Sequence, residues 1–332
     1  QYVLIFLYTM TSALAVLGNI LVIVVFSFGR RCRTDLRPFL VNLACSDLVM
    51  AIFCMPFTFT YTMLHEWIFG TYMCTLVLFC QMFAVLASVG TSTAIAVDRF
   101  LVVIYPLQAR NPKLRAKIAI VAVWSVAFTF SSPQLVVGRS VQGVSSNSTR
   151  TGCSEMWPNE SMRWVFSFFV LISTYLLPLS AIAVTYGVVA RCLWRRKTPG
   201  NADNVRDRMQ LNAKKKVVKM LLVVVTLFGV CWLPLHLFNL IIDFMPELNN
   251  ENKPEASMIG TAIYTSVCKS LVHWLAMSNS FVNPIIYGFL NDNFRVGLCV
   301  CVCVFMCVCV CLCVCVCVCV YVSVCVCLIM FV

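Results

Sequence analysis

The sequence predicts an all-α membrane protein, a bundle of seven membrane-crossing helices. Three observations carry that prediction: extreme apolarity, seven apolar runs of spanning length, and basic residues gathered on one side. Of 332 residues, 61% are hydrophobic and 11% charged, at a mean hydropathy of +0.90. Soluble domains of this length are not so apolar, and long apolar stretches mark membrane spans. A hydrocarbon core of about 30 Å takes about 20 helical residues to cross. Lipid offers the backbone no hydrogen bonds, so isolated apolar segments must be helices.

The runs cover 2–28, 38–64, 73–105, 117–137, 163–193, 215–244 and 266–290. Their connections alternate in charge. The first, third and fifth, with adjoining helix ends, carry Arg30, Arg31, Arg33 and Arg37, then Arg110, Lys113, Arg115 and Lys117, then a series from Arg191 to Lys219. With Arg99 and Arg295, that side holds 20 of the 25 basic residues; Arg139, Arg150, Arg163, Lys253 and Lys269 lie on the other. Cationic loops stay in the cytoplasm, so the N-terminus is expected outside and the C-terminus inside. The net charge of +12 then reflects topology and anionic membrane lipid, and nucleic acid is not an expected partner. The sequons Asn147-Ser148-Thr149 and Asn159-Glu160-Ser161 fall in a loop placed outside by this count, which makes Asn147 and Asn159 glycosylation candidates.

The two ends read differently. The chain opens at Gln1, directly on apolar residues, and reads as truncated at its N-terminus. Twelve of the 21 cysteines lie between Cys299 and Cys327, mostly alternating with valine. Such a tract has no turn residues to wrap a metal, and disulfide frameworks belong to small secreted domains. A repeated TG dinucleotide translates as Cys-Val. Residues 1–298 are therefore taken as the folded domain and 299–332 as a low-complexity gene-model artefact. The long connection from Met245 to Thr265 is a second suspect segment.

Polar residues inside the spans raise the functional question. Asp47 in the second run cannot sit unpaired at mid-membrane depth; it needs partners or a cation. Asn279, Asn283 and Tyr287 recur every four residues, on one helix face, beside Pro284. Cys74, Gln81 and Ser88 recur every seven. One polar seam can gather Asp47, Ser88, Asn279 and Asn283, and such oxygen ligands suit a small hard cation. The bland reading of a lone Asn or Ser is a helix–helix hydrogen bond. Phe228, Trp232 and His236 are spaced by four around Pro234, as core aromatics or as a pivot at a kink. Asp98 and Arg99 adjoin at the membrane edge, which reads at its simplest as a snorkelling Arg with a counter-ion.

In order along the chain, Gly18-Asn19, "NLACSDL" with Asp47, Cys74, "DRF" at 98–100, Trp124, Pro178 and Tyr186, "FGVCWLP" at 228–234 and "NPIIY" at 283–287 resemble the rhodopsin-like (class A) G-protein-coupled receptors. The resemblance covers residues 1–298, and "NDNFR" at 291–295 is similar to the start of that family's short cytoplasmic eighth helix. It implies a plasma-membrane receptor, not an enzyme, acting on a heterotrimeric G protein. It implies a Cys74–Cys153 disulfide, the alternative being two free thiols. The seam becomes an allosteric sodium site, with no other cofactor. Asp98, Arg99, Tyr186, Phe228, Trp232, Pro234, Pro284 and Tyr287 become an activation switch, and Arg99 and Leu107 contact the G protein. Phe100 replaces the family's usual Tyr, and Lys214 stands where some members carry an acid that locks the Arg.

Gln81 stands where amine receptors have an Asp, and Met277 where opsins have the retinal Lys. The chain is most similar to neuropeptide Y, neuropeptide FF and tachykinin receptors. An extracellular peptide ligand, basic and C-terminally amidated, follows from that likeness. Gln81, Glu155, His236, Asn239, Asp243 and His273 are its expected contacts, with Glu155 over the mouth and Asp243 pairing with a ligand Arg. A class A receptor for a non-peptide ligand is the alternative. A transporter would show paired halves, and a membrane enzyme clustered ligands; neither pattern is visible in the sequence.

Overall fold

The computed structural model describes residues 2–29, 34–105, 111–145, 148–195, 204–244, 255–291 and 294–301. Each apolar run is helical. The first is α1, Tyr2–Phe28. The second breaks into α2, Arg37–Phe53, and α3, Met55–Leu64. The break at Cys54 precedes Pro56, which has no N–H to give the Ile52 carbonyl. Next come α4, Gly70–Ile104, α5, Pro112–Ser131, and a short α6, Pro133–Val137. Prolines open α2, α5 and α6, where a missing N–H costs nothing.

The fifth run is α7, Glu160–Leu171, a π-helical turn, Ile172–Leu176, and α8, Leu177–Arg195. Pro178 explains the turn. It cannot donate to Thr174, and the Leu177 N–H reaches instead to the Ile172 carbonyl. Then come α9, Asn204–Phe244, with Pro234 inside, and α10, Glu255–Leu290, with Pro284 inside. A last helix, α11, spans 294–301 and crosses the expected boundary at 298; Leu298 and Cys301 pack on the core. Asn291 caps it, its Oδ1 accepting from the Phe294 N–H at 3.1 Å. The Cys-Val tract from 302 onward lies outside the described residues.

Among the described residues, six stretches are long and apolar enough to cross a membrane. The seventh helix, α10, packs against α1 and α9 and completes the bundle. Among the described residues, the two largest buried clusters lie at its centre. One holds Phe26, Leu40, Ile95, Tyr186, Val224, Tyr287 and Phe294; the other holds Met50, Val85, Tyr175, Trp232, Leu235 and Met277. Large apolar residues such as Ile118, Val121, Val165 and Val184 cover the outside, as expected of a protein dissolved in lipid.

A pair of strands was not foreseen in the sequence. Strands β1, Gly138–Ser145, and β2, Ser148–Glu155, form an antiparallel hairpin between α6 and α7, with Ser140 opposite Cys153. Cys153 is bonded to Cys74 at the top of α4, with Cα atoms 5.6 Å apart. Trp67 fastens the same corner. Its backbone N–H donates to the Thr151 carbonyl at 2.7 Å and its Nε1 to the Gly70 carbonyl at 2.7 Å. That turn needs positive φ at His65 and Gly70, 52° and 76°.

Candidate functional site

Pro284 gives the starting point. A proline at 284 leaves the Ser280 carbonyl without its helical donor. An orphaned buried carbonyl costs about 1–3 kcal/mol. Asn19 of α1 supplies the missing bond: its Nδ2 donates to the Ser280 oxygen at 2.8 Å and to the Ala15 oxygen at 2.8 Å. Gly18 lets α1 come that close, since a Cβ there would lie 2.9 Å from Pro284 Cβ. The Gly-Asn pair and the proline are thus two halves of one helix contact.

Next to it is the buried carboxylate. Asp47 accepts from Asn283 Nδ2 at 2.9 Å and from Ser88 Oγ at 3.3 Å. These residues come from α2, α10 and α4. Asn279 lines the same narrow cavity, about 10 Å³ and bounded also by Phe228, Trp232 and Ser280. Asn283 Oδ1 is buried without a hydrogen-bond partner. Asp47, Ser88 and Asn279 thus line one space, and Asn283 is hydrogen-bonded to Asp47 beside it. An unused oxygen beside a carboxylate and a hydroxyl is a donor set that fits a small hard cation.

Above this cavity stands an aromatic stack. Phe228, Trp232 and His236 follow one another at 6.1 Å and 6.1 Å between ring centroids. Tyr175, set by the π turn, lies 5.1 Å from the His236 ring and donates its hydroxyl to the Gly229 carbonyl at 3.1 Å. Trp232 Nε1 and His236 Nε2 are buried without hydrogen-bond partners. Higher still, Gln81 Nε2 is 3.4 Å from His273 Nε2, and His273 Nδ1 is 3.1 Å from the Tyr8 hydroxyl. Tyr8 donates to the Ser270 carbonyl at 3.1 Å. Its one hydrogen is then used, so His273 Nδ1 donates to it and Nε2 accepts from the Gln81 amide. Helices α4, α10 and α1 are joined by this chain.

The two acids have partners of their own. Glu155 is held on both oxygens. Its oxygens accept from Gln134 Nε2 at 2.6 Å and Trp157 Nε1 at 2.7 Å, which ties it to α6. Asp243, near the outer end of α9, is turned toward α7, where Arg163 Nε is 3.6 Å away. Asn239, one turn below, is exposed.

Residues 18–287 match the 7 transmembrane receptor (rhodopsin family). The chain belongs to this family. As a receptor it is not an enzyme. Among curated proteins it is 36% identical over 293 residues to the substance-P receptor of Canis lupus familiaris, covering 87% of this chain and 68% of that one. It is equally 36% identical over 293 residues to the neuromedin-K receptor of Homo sapiens, covering 87% of this chain and 59% of that one. The substance-P receptor of Homo sapiens matches at 36% over 293 residues.

At the opposite end of the receptor, Asp98 is buried and bridges two cations. Arg99 Nη2 donates to its Oδ2 at 2.5 Å; Arg115 donates to its Oδ1 from Nη2 at 2.6 Å and Nε at 3.1 Å. Tyr186 and Tyr287 share the inner cluster, and Tyr287 sits edge-on to Phe26 and Phe294, both at 6.3 Å. Leu107 and Asn147 lie outside the described residues; Asn159 is exposed at the N-cap of α7. The Lys214 side chain is likewise outside them.

Several residues were missed in the sequence. Asn42 accepts from Trp124 Nε1 at 2.6 Å and donates to Thr91 at 2.7 Å, tying α2, α5 and α4. Asn42 lies five residues before Asp47 and could have been marked as another polar group in a span. Tyr8, Tyr175 and Arg115 gave no such signal. Tyr8, near a span end, reads as interfacial, Tyr175 as one more core aromatic, and Arg115 as one more cytoplasmic cation.

Proposed function

We propose that this receptor binds an extracellular neuropeptide, basic and C-terminally amidated, and activates a heterotrimeric G protein. The observation that carries this is the identity to substance-P and neuromedin-K receptors across 87% of the chain. The outer bundle supports it, because Gln81 and His273 meet in one polar chain and His236 lies below them. The Gln81 amide reads the ligand's terminal amide, and Asp243 pairs with an Arg close to it. Such a pair is directional and often bidentate.

The receptor stands in the plasma membrane with its N-terminus outside. The charge count supports this, and so does the Cys74–Cys153 bond, which belongs on the oxidising side. Asp47, Ser88, Asn279 and Asn283 hold a sodium ion that favours the inactive packing. Agonist prefers the alternative packing around Pro234 and Pro284 and shifts the population toward it. Arg99 then leaves Asp98 and, with Tyr186, Tyr287 and Leu107, meets the G protein.

The test is a panel of amidated peptides on cells expressing the receptor, read by G-protein activation. Substance P, neuromedin K and a synthetic peptide ending in Arg-Phe-amide belong in it, each beside its free-acid form. Activation by an amidated peptide, lost in the free acid and weakened by Gln81→Ala, is the expected result. Activation by amines or lipids alone would overturn the reading.

A further inference from the structure

We propose that Arg163 is an internal competitor for the ligand's cation and sets the receptor's selectivity for charge. The inference rests on Asp243 reading a ligand Arg, as proposed above. Asp243 and Arg163 form an ion pair with each other, at 3.6 Å. Arg163 lies one turn into α7, at the outer end of the bundle, and its side chain is 39% exposed, while that of Asp243 is 17% exposed. The side chain is thus partly in water, while its Nε is buried, without a hydrogen bond, within reach of a carboxylate that is mostly covered. A peptide Arg entering this corner must displace it. The pair is not what joins the helices: Phe244 packs on Trp164 and on Phe168, each at 5.9 Å between centroids. Removing the Arg163 charge should therefore leave the fold intact and Asp243 open.

Displacement has two consequences. A cationic ligand gains less from Asp243 than a free carboxylate would give, because it exchanges one guanidinium for another. A neutral ligand gains nothing by opening the pair. A partly exposed pair of this kind is weak, so freeing Asp243 should improve the potency of a cationic peptide by roughly two- to fivefold.

The experiment compares two synthetic peptides, one ending in Arg-Phe-amide and its citrulline twin, by binding and by G-protein activation. The receptors are wild type, Arg163→Gln, Asp243→Asn and the double variant. Expected is a two- to fivefold gain for the Arg peptide on Arg163→Gln, no change for the citrulline twin, and no effect of Arg163→Gln when Asp243 is already Asn. If Asp243→Asn costs the Arg peptide selectively but Arg163→Gln gives no gain, the competitor role is wrong and the Asp243 reading stands. If Asp243→Asn weakens both peptides equally, Asp243 does not read charge, and both ideas fall. Thermal unfolding of the solubilised Arg163→Gln receptor, unchanged within a degree or two, excludes misfolding as the source of any loss.

Discussion

Asn19 shows how one side chain repairs what another breaks. Its amide takes the carbonyl that Pro284 leaves without a donor. Asn19→Leu should therefore expose a buried, unsatisfied carbonyl at a cost of about 1–3 kcal/mol. In the solubilised receptor that should appear as a fall of several degrees in melting temperature. Gly18→Val should do at least as much, because its added atoms meet the Pro284 ring; normal expression and melting would refute the close contact. Asp98 raises a different question, since one carboxylate is shared by Arg99 and Arg115. Removing Arg115 leaves the whole charge to Arg99. Arg115→Gln should lower agonist-free signalling, measured as basal nucleotide exchange at matched surface expression. A rise would mean that Arg115 holds Asp98 away from Arg99.

At the scale of elements, the proline positions divide the labour. Pro178 produces the π turn, and the turn brings Tyr175 to the aromatic stack and to the Gly229 carbonyl. Pro178→Ala allows regular α-helical bonding through Ile172–Leu176, which rotates the residues before it by part of a turn. Tyr175 should then leave the stack. Agonist potency should fall by about tenfold, the effect of roughly 1.4 kcal/mol, while surface expression holds. Unchanged potency would mean that the turn is only a packing detail. The helices themselves were legible from apolar length alone, because lipid admits no other backbone solution. The break at Cys54 and the hairpin were not. Pro56 breaks the helix locally but, inside a continuous apolar run, marks no boundary between spans, and the strands are held by Trp67 and the disulfide rather than by β-rich sequence. Periodicity pointed to the residues that meet Asp47: Ser88 and Asn283 hydrogen-bond to it, and Asn279 lines the cavity it borders. It could not reveal that Arg163 faces Asp243, or that Gln134 holds Glu155, because each of those contacts joins separate elements.

Across the whole molecule, three polar layers share one set of helices: the Gln81–His273–Tyr8 chain outside, the Asp47 cavity in the middle, and the Asp98 pair inside. Pro234 and Pro284 lie between them, so a change in helix packing can reach from the first layer to the last. With the proposed sodium ion bound, the middle layer would couple to the outer one by reciprocal linkage. Replacing potassium by sodium in the medium should lower agonist affinity severalfold in the wild type and leave Asp47→Asn unaffected; a full sodium effect in that variant would rule out the site. The most direct measurement concerns the two ends together. Membranes carrying wild-type or Arg99→Ala receptor are assayed side by side for binding of an amidated peptide agonist and for the nucleotide exchange it drives on a G protein. The expected result is near-normal binding with exchange abolished in the variant. Loss of binding with exchange intact per occupied receptor would contradict a switch that runs from the outer pocket to Arg99.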